Sequence, residues 1–267
     1  MPPFWLQTLS DGKIMRSTAL AVAAATSPQR AAIELRDRLI VALDVPNKER
    51  ALEMVEKLGD TVRFYKIGLQ LHFAGGIELA HKLIKKNKKV FLDSKIYDID
   101  QTVKNAVANV AKMGVDFVTV HGNGSAIRAA VEGRGDHPLK IFIVTLLTHL
   151  DAHDMKDLGL ATKYSLNDIV LMRAKTALEA GCDGVIASGK EAAAIRRMTK
   201  SRPLLIVAPG IRSRGIPHNE QKRVSTPHDA IAAGADYLVV GRQILDAADP
   251  KAMAESIFDE IKAALTH

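Results

Sequence analysis

"VFLDSKIYDIDQTVKNAVANVAKMGVDFVTVHG" spans residues 90–122, and its hydrophobic pattern changes twice. It opens with "VFLDSK" (90–95), a short apolar run that breaks into charge. The middle carries Val103, Val107, Val110 and Met113 at helical spacing and stops at Gly114. It closes with "FVTVHG" (117–122), a second short apolar run. A 3.6-residue period between two short β-rich runs reads as strand, helix, strand. Near-continuous apolar runs suit strands covered on both faces, as in a parallel sheet.

The same unit recurs along the chain. Further runs are "LIVALDV" (39–45), "FYKIG" (64–68), "IFIVTLLT" (141–148), "GVIASG" (184–189), "LLIVAPGI" (204–211) and "YLVVGR" (237–242). Helical patterns lie between them. "NKERALEMVEKLG" places Leu52, Val55 and Leu58 on one face, and the closing helix does so with Met253, Ile257, Ile261 and Leu265. Three helix-to-strand junctions share their wording: Gly114-Val115-Asp116, Gly181-Cys182-Asp183 and Gly234-Ala235-Asp236. A glycine there can end a helix in the left-handed conformation, so these junctions read as structural. Eight strands alternating with helices predict an α/β fold, a (β/α)8 TIM barrel in a single domain. An open doubly wound sheet is the other α/β option. It is disfavoured because no G-x-G-x-x-G follows the first strand.

The barrel is assigned to residues 37–267. Residues 1–36 read as an N-terminal extension: Ala-rich, acid-poor and without the apolar core of a secretory signal. A disordered tail or an upstream start preceding Met15 is favoured over a transit-type peptide. Charge and composition limit the partners. The chain carries a formal +7, but only 4% of its residues are aromatic and its lysines are scattered. The densest cluster, "KKNKK" (85–89), reads as a solvated helix end facing the helix dipole. Neither nucleic acid nor a membrane is indicated, since stacking surface is scarce and no apolar run approaches about 20 residues. The single cysteine, Cys182, excludes an internal disulfide and suits a reducing compartment.

The strand ends concentrate the polar residues. Asp44 closes strand 1, Lys66 sits in strand 2, Asp93 and Lys95 close strand 3, and His121 closes strand 4. Thr148 follows strand 5, Arg212 follows strand 7, and Gly241 and Arg242 follow strand 8. In a barrel this rim is the active face. Asp93 and Lys95 are two apart, which places them on one side of a regular strand. Asp98 falls outside that row and reads equally well as a helix N-cap. Two lysines and two aspartates can neutralise one another and so permit burial. Arg212 and Arg242, among glycines, form a candidate anion site.

Together "ALDV", "FYKIG", "FLDSKIYDIDQTV", "TLLTH", "APGIR", "EQKRVSTP" and "ADYLVVGR" resemble the orotidine 5′-phosphate decarboxylases of the bacterial type. The resemblance covers about residues 39–265. It implies a cofactor-free, metal-free cytoplasmic homodimer that converts orotidine 5′-monophosphate to UMP in pyrimidine biosynthesis. Lys95 is then the proton donor to C6, Asp93 lies beside the substrate carboxylate, and Lys66 completes the array and helps hold the ribose. Asp98 and Thr102 are implied to reach into the partner's site. Asp44 is implied to bind ribose, and Ile99 and Thr148 to contact the substrate. Gln221, Gly241 and Arg242 are implied to hold the phosphate, with Arg212 nearby. Two places depart from the family's habit: "HGNGS" after strand 4, and His149 after Thr148. His121 is expected to be structural. The alternative is a magnesium-dependent keto-sugar-phosphate decarboxylase or hexulose-phosphate synthase on the same barrel. Those sister enzymes need an acid on strand 2, where this chain has Lys66.

Overall fold

The computed structural model describes residues 32–157, 164–200, 202–216 and 223–266. Eight parallel strands close into a barrel in chain order. They are β1 (Leu39–Ala42), β2 (Phe64–Ile67), β3 (Lys89–Ile96), β4 (Phe117–Val120), β5 (Lys140–Val144), β6 (Gly184–Ile186), β7 (Leu205–Ala208) and β8 (Tyr237–Val240). Each run expected from the sequence supplies one strand. Most strands end before their run does, so Asp44, Thr148 and Gly241 stand on loops past the strand ends.

The connecting helices are α1 (Lys48–Leu58), α2 (Leu69–His72), α3 (Gly76–Lys85), α4 (Asp100–Lys112), α5 (Gly124–Arg134) and α6 (Ala152–Asp157). They continue with α7 (Leu166–Glu179), α8 (Gly189–Met198), α9 (Pro227–Ala232), α10 (Arg242–Leu245) and α11 (Pro250–Leu265). Their starts follow from local chemistry. Asn47 caps α1 by accepting from the Arg50 amide, Ser165 and Asp168 form a reciprocal box at α7, and Pro227 and Pro250 open α9 and α11. Helix α11 buries Ile257 and Ile261 as expected, but Leu265 is exposed because the last turn outruns the core. Residues 1–31 of the expected extension lie outside the described residues. Glu34 and Arg36 lie against the barrel, through Glu34–Arg63 at 2.8 Å and Arg36–Glu255 at 3.2 Å.

Two cores result from the alternation along each strand. One lies between the strands and the helices; the other fills the barrel. Inside, Phe64, Phe91, Phe117, Phe142 and Tyr237 meet ring to ring, with Phe117 at 4.6 Å from Phe142 and 4.8 Å from Phe64. These rings form a solid floor. The next inward residue on each strand is two further on: Lys66, Asp93, Thr119 and Val144. The polar residues therefore rise directly above an apolar plug.

The repeated junctions have a common construction. Gly114, Gly181 and Gly234 all take positive φ, at 78°, 81° and 113°. Two residues on, the aspartate accepts a backbone N–H from the second residue of the preceding strand. Asp116 takes Val90 at 2.8 Å, Asp183 takes Ile141 at 2.9 Å and Asp236 takes Ile206 at 2.8 Å. The device pins the feet of neighbouring strands at the end opposite the polar rim. In "KKNKK", Lys85 ends α3, while Lys88 donates to the carbonyls of Gly59 and Val62, and Lys89 pairs with Asp37. Half of that cluster is thus tied into the fold instead of facing solvent.

Candidate active site

The end of β3 departs from regular geometry. Leu92 pairs with Val118 and Ile96 with Val120, so four steps along β3 match two along β4, which leaves two extra residues in the bulge. Lys95 sits inside it with φ of 48°, a left-handed conformation rare for a residue with a side chain. The expectation that simple alternation aligns Asp93 with Lys95 is therefore corrected: the bulge brings them together. Lys95 Nζ donates to Asp93 Oδ1 at 2.8 Å. Ser94 joins His72 on α2, at 2.8 Å from Nε2. His72 Nδ1 lies 2.9 Å from the Gly68 carbonyl, which can only accept, so Nδ1 carries a proton there.

Four charges then alternate across the pocket. Lys66 Nζ lies 3.1 Å from Asp44 Oδ1 and 3.5 Å from Asp93 Oδ2, and Lys95 closes the chain on the other carboxylate oxygen. Thr119 adds a hydrogen bond to Asp93 Oδ1 at 2.9 Å. Burial pulls the Lys66 ammonium down, but Asp93 and Asp44 outweigh it and hold its pKa above the ordinary lysine value. Burial pushes Asp93 up, but Lys66 and Lys95, with hydrogen bonds from Lys95 and Thr119, hold its carboxyl below the ordinary range. Asp93 therefore contributes stability above about pH 4 that is lost as pH falls through its lowered pKa. Lys66 contributes stability below about pH 10 that is lost as pH rises through its raised pKa. Both remain charged across the neutral range. Gly68 leaves room beside them: a Cβ there would press on Lys66 Nζ at 3.0 Å and Asp44 Oδ1 at 3.2 Å.

The array lines one side of a cavity of about 440 Å³. Thr148, Gly210, Arg212, Gly241 and Arg242 line the rest. Arg212 is buried, and burial followed by the neighbouring Arg242 charge pulls its pKa down. Two guanidinium groups held close enough to repel are stabilised by a shared anion. Arg242 opens α10 directly after Gly241, at the strand 7–8 end where barrels commonly take phosphate. The cavity thus carries two arginines, Arg212 and Arg242, besides the lysine-bearing ionic array, and Val144, Leu146 and Ile186 add apolar lining.

Residues 37–257 match the model of the orotidine 5′-phosphate decarboxylase / HUMPS family. The chain belongs to that family. Orotidine 5′-phosphate decarboxylase from Nitrobacter winogradskyi is 51% identical over 230 residues, covering 86% of this chain and 95% of that protein. The decarboxylase from Ruegeria pomeroyi is 50% identical over 226 residues, 84% of this chain and 94% of its own length. Among solved structures, the decarboxylase from Lactobacillus acidophilus superposes with a TM-score of 0.72 at 36% identity, over 84% of this chain and 98% of that one.

As a member of the orotidine 5′-phosphate decarboxylase / HUMPS family, the chain brings Asp44, Lys66, Asp93, Lys95, Thr148, Arg212, Gly241 and Arg242 to one cavity. Asp98, Ile99 and Thr102 do not line it and are exposed. Asp98 is not the helix cap: α4 opens at Asp100 with Ile99 in the cap position, and Asp98 Oδ1 accepts the Ile99 amide at 2.7 Å. Gln221 lies outside the described residues. In "HGNGS", Asn123 caps α5 by accepting from the Ala126 amide, and the Tyr97 ring covers Gly122, where a Cβ would come within 2.5 Å of it. His149 is exposed. His121 faces the Tyr97 ring at 5.8 Å, and burial, then the Arg173 and Lys95 charges, pull its pKa below the ordinary imidazole value. One structural residue escaped the sequence reading. Arg223 is buried, pairs with Glu191 at 3.0 Å and donates to the carbonyls of Leu147 at 3.0 Å and Thr148 at 3.4 Å. It fixes the loop that carries Thr148 to the cavity.

Proposed function

We infer that the chain converts orotidine 5′-monophosphate to UMP and CO2, as its named relatives do. The observation that carries this reading is Lys66, wedged at 3.1 and 3.5 Å between Asp44 and Asp93, with Lys95 on the far side of Asp93. A sister enzyme needs an acid on strand 2 to hold magnesium; here an ammonium occupies that place and would repel the ion. The phosphate goes to Arg212, Gly241 and Arg242, with Gln221 assigned to the same end. Asp44 and Lys66 take the ribose, and Thr148 the pyrimidine. The carboxylate is then set against Asp93. The C6–carboxylate bond breaks, CO2 departs with neither bonding electron, and the pair remains on C6. Lys95 Nζ stabilises that carbanion and gives it a proton, then regains one from solvent. Phosphate contacts are remote from the broken bond, so their energy is available to place the reacting carbon against the array. In excess EDTA the protein should deplete orotidine 5′-monophosphate and release UMP in equal amount. Conversion that appears only when magnesium is restored would return the reading to the sister enzymes.

The active unit in this reading is a homodimer in the cytoplasm. Asp98 and Thr102 face outward, flanked by Tyr97 at 62% and Ile99 at 73% exposure, with Phe73 at 92% on the neighbouring α2–α3 turn. Large apolar groups beside outward-facing site residues support a second copy seated there. Lys95→Ala and Asp98→Asn chains should each be inactive alone. Mixed and allowed to exchange, they should recover about a quarter of wild-type activity, because half the dimers are mixed and each holds one intact site. No recovery on mixing would mean that Asp98 serves its own chain's site, and an Asp98→Asn protein active alone would put it outside the reaction.

A further inference from the structure

Thr119 on β4 is fully buried and does not line the cavity, yet its hydroxyl joins both halves of the β3 bulge. It accepts the Lys95 backbone N–H at 2.9 Å and donates its own proton to Asp93 Oδ1, also at 2.9 Å. The direction is fixed by chemistry: an amide can only donate and an ionised carboxylate can only accept. The single hydroxyl proton is thus committed, and the same oxygen holds the left-handed turn at Lys95. That turn is where the register between β3 and β4 shifts, and there the Lys95 amide takes the Thr119 hydroxyl. Lys95 Nζ returns to the same Asp93 oxygen at 2.8 Å, which closes a ring through Asp93, Lys95 and Thr119.

We infer that Thr119 is a positioning residue for decarboxylation: it holds the Lys95 backbone and the Asp93 carboxylate in one fixed relation, so that the ammonium stands where C6 will be. This rests on the decarboxylase reading above. Such a residue acts on the chemical step more than on substrate capture, because the phosphate end of the cavity is built from other strands. Removing the hydroxyl takes the acceptor from the partly buried Lys95 amide, and a small displacement of a reacting group is costly to rate.

The test is steady-state kinetics on wild type, Thr119→Val, Thr119→Ser and Thr119→Ala in EDTA, with thermal melting run alongside. Thr119→Val should lose about 10- to 100-fold in kcat with KM changed by less than about 3-fold. Thr119→Ser, which keeps the hydroxyl, should stay within about 5-fold of wild type, while Thr119→Ala should fall with Thr119→Val. Should the valine variant not fold, the serine and alanine pair still differ by one oxygen atom. Equal kcat in that pair, or a loss confined to melting temperature or KM, would overturn the inference. Failure of the underlying reading is seen separately, as wild-type protein that makes no UMP.

Discussion

Replacing Lys95 with alanine is expected to lower kcat for orotidine 5′-monophosphate by about 10⁴-fold or more. Two effects are lost at once: a positioned acid, worth about 10²–10⁴, and a fixed charge facing the developing carbanion, worth about 10²–10³. The two act through one nitrogen, so their product is an upper bound. The variant should still fold. Asp93 keeps Lys66 at 3.5 Å and the Thr119 hydroxyl at 2.9 Å, so its carboxylate is not left buried without partners. KM should change far less than kcat, because Arg212 and Arg242, the groups proposed to hold the phosphate, are untouched. The measurement is absorbance loss of the substrate with excess EDTA, with circular dichroism confirming the fold. A Lys95→Ala protein within about 10-fold of wild type would show that the proton comes from elsewhere and would remove the central role given to this residue.

The barrel was legible because its signals are local and repeated. Eight apolar runs, helices between them and three Gly-x-Asp junctions carry the same message independently, and each run became a strand. The charged rim was legible for a similar reason: strand ends are visible in sequence, and a barrel makes one rim of them. Strand alternation failed at the β3 bulge. Nothing in "LDSKI" announces two extra residues, and Lys95 carries no glycine-like signature for its positive φ. Thr119 had a faint signal, since it shares the parity of Phe117 and so points inward. The polar residue at the run's end, His121, drew attention instead, although the chain has already left the strand there. Arg223 had no local signal at all, because its partner Glu191 is 32 residues away. Asp98, Ile99 and Thr102 mark a different limit: one chain's fold leaves all three exposed, and the role proposed for Asp98 and Thr102 needs a second chain.

Asp236→Ala should be the most destabilising of the three junction substitutions, by about 3–5 kcal/mol, because it removes one partner of a buried ion pair. Its side chain is fully buried, accepts the Ile206 amide at 2.8 Å and pairs with Arg196, while its carbonyl takes Arg38 at 3.2 Å. Without the carboxylate, the Ile206 amide loses its acceptor, and Arg196 and Arg38 lose the negative charge between them. Asp183 performs the same task with a side chain 27% exposed, so water can replace part of what alanine removes there. In a domain of this size the Asp236→Ala melting temperature should fall by about 10 °C or more, and Asp183→Ala by less. Asp236→Asn separates the causes, since it retains an oxygen for Ile206 but not the charge, and should fall between alanine and wild type. Asp236 stands at the foot of β8, opposite the cavity. Protein that remains folded should therefore turn over substrate at the wild-type kcat. An Asp236→Ala protein that melts within about 2 °C of wild type would show that the junction aspartates are not what ties the strand feet together. A stable but slow variant would contradict the division of this barrel into a stabilising end and a reacting end.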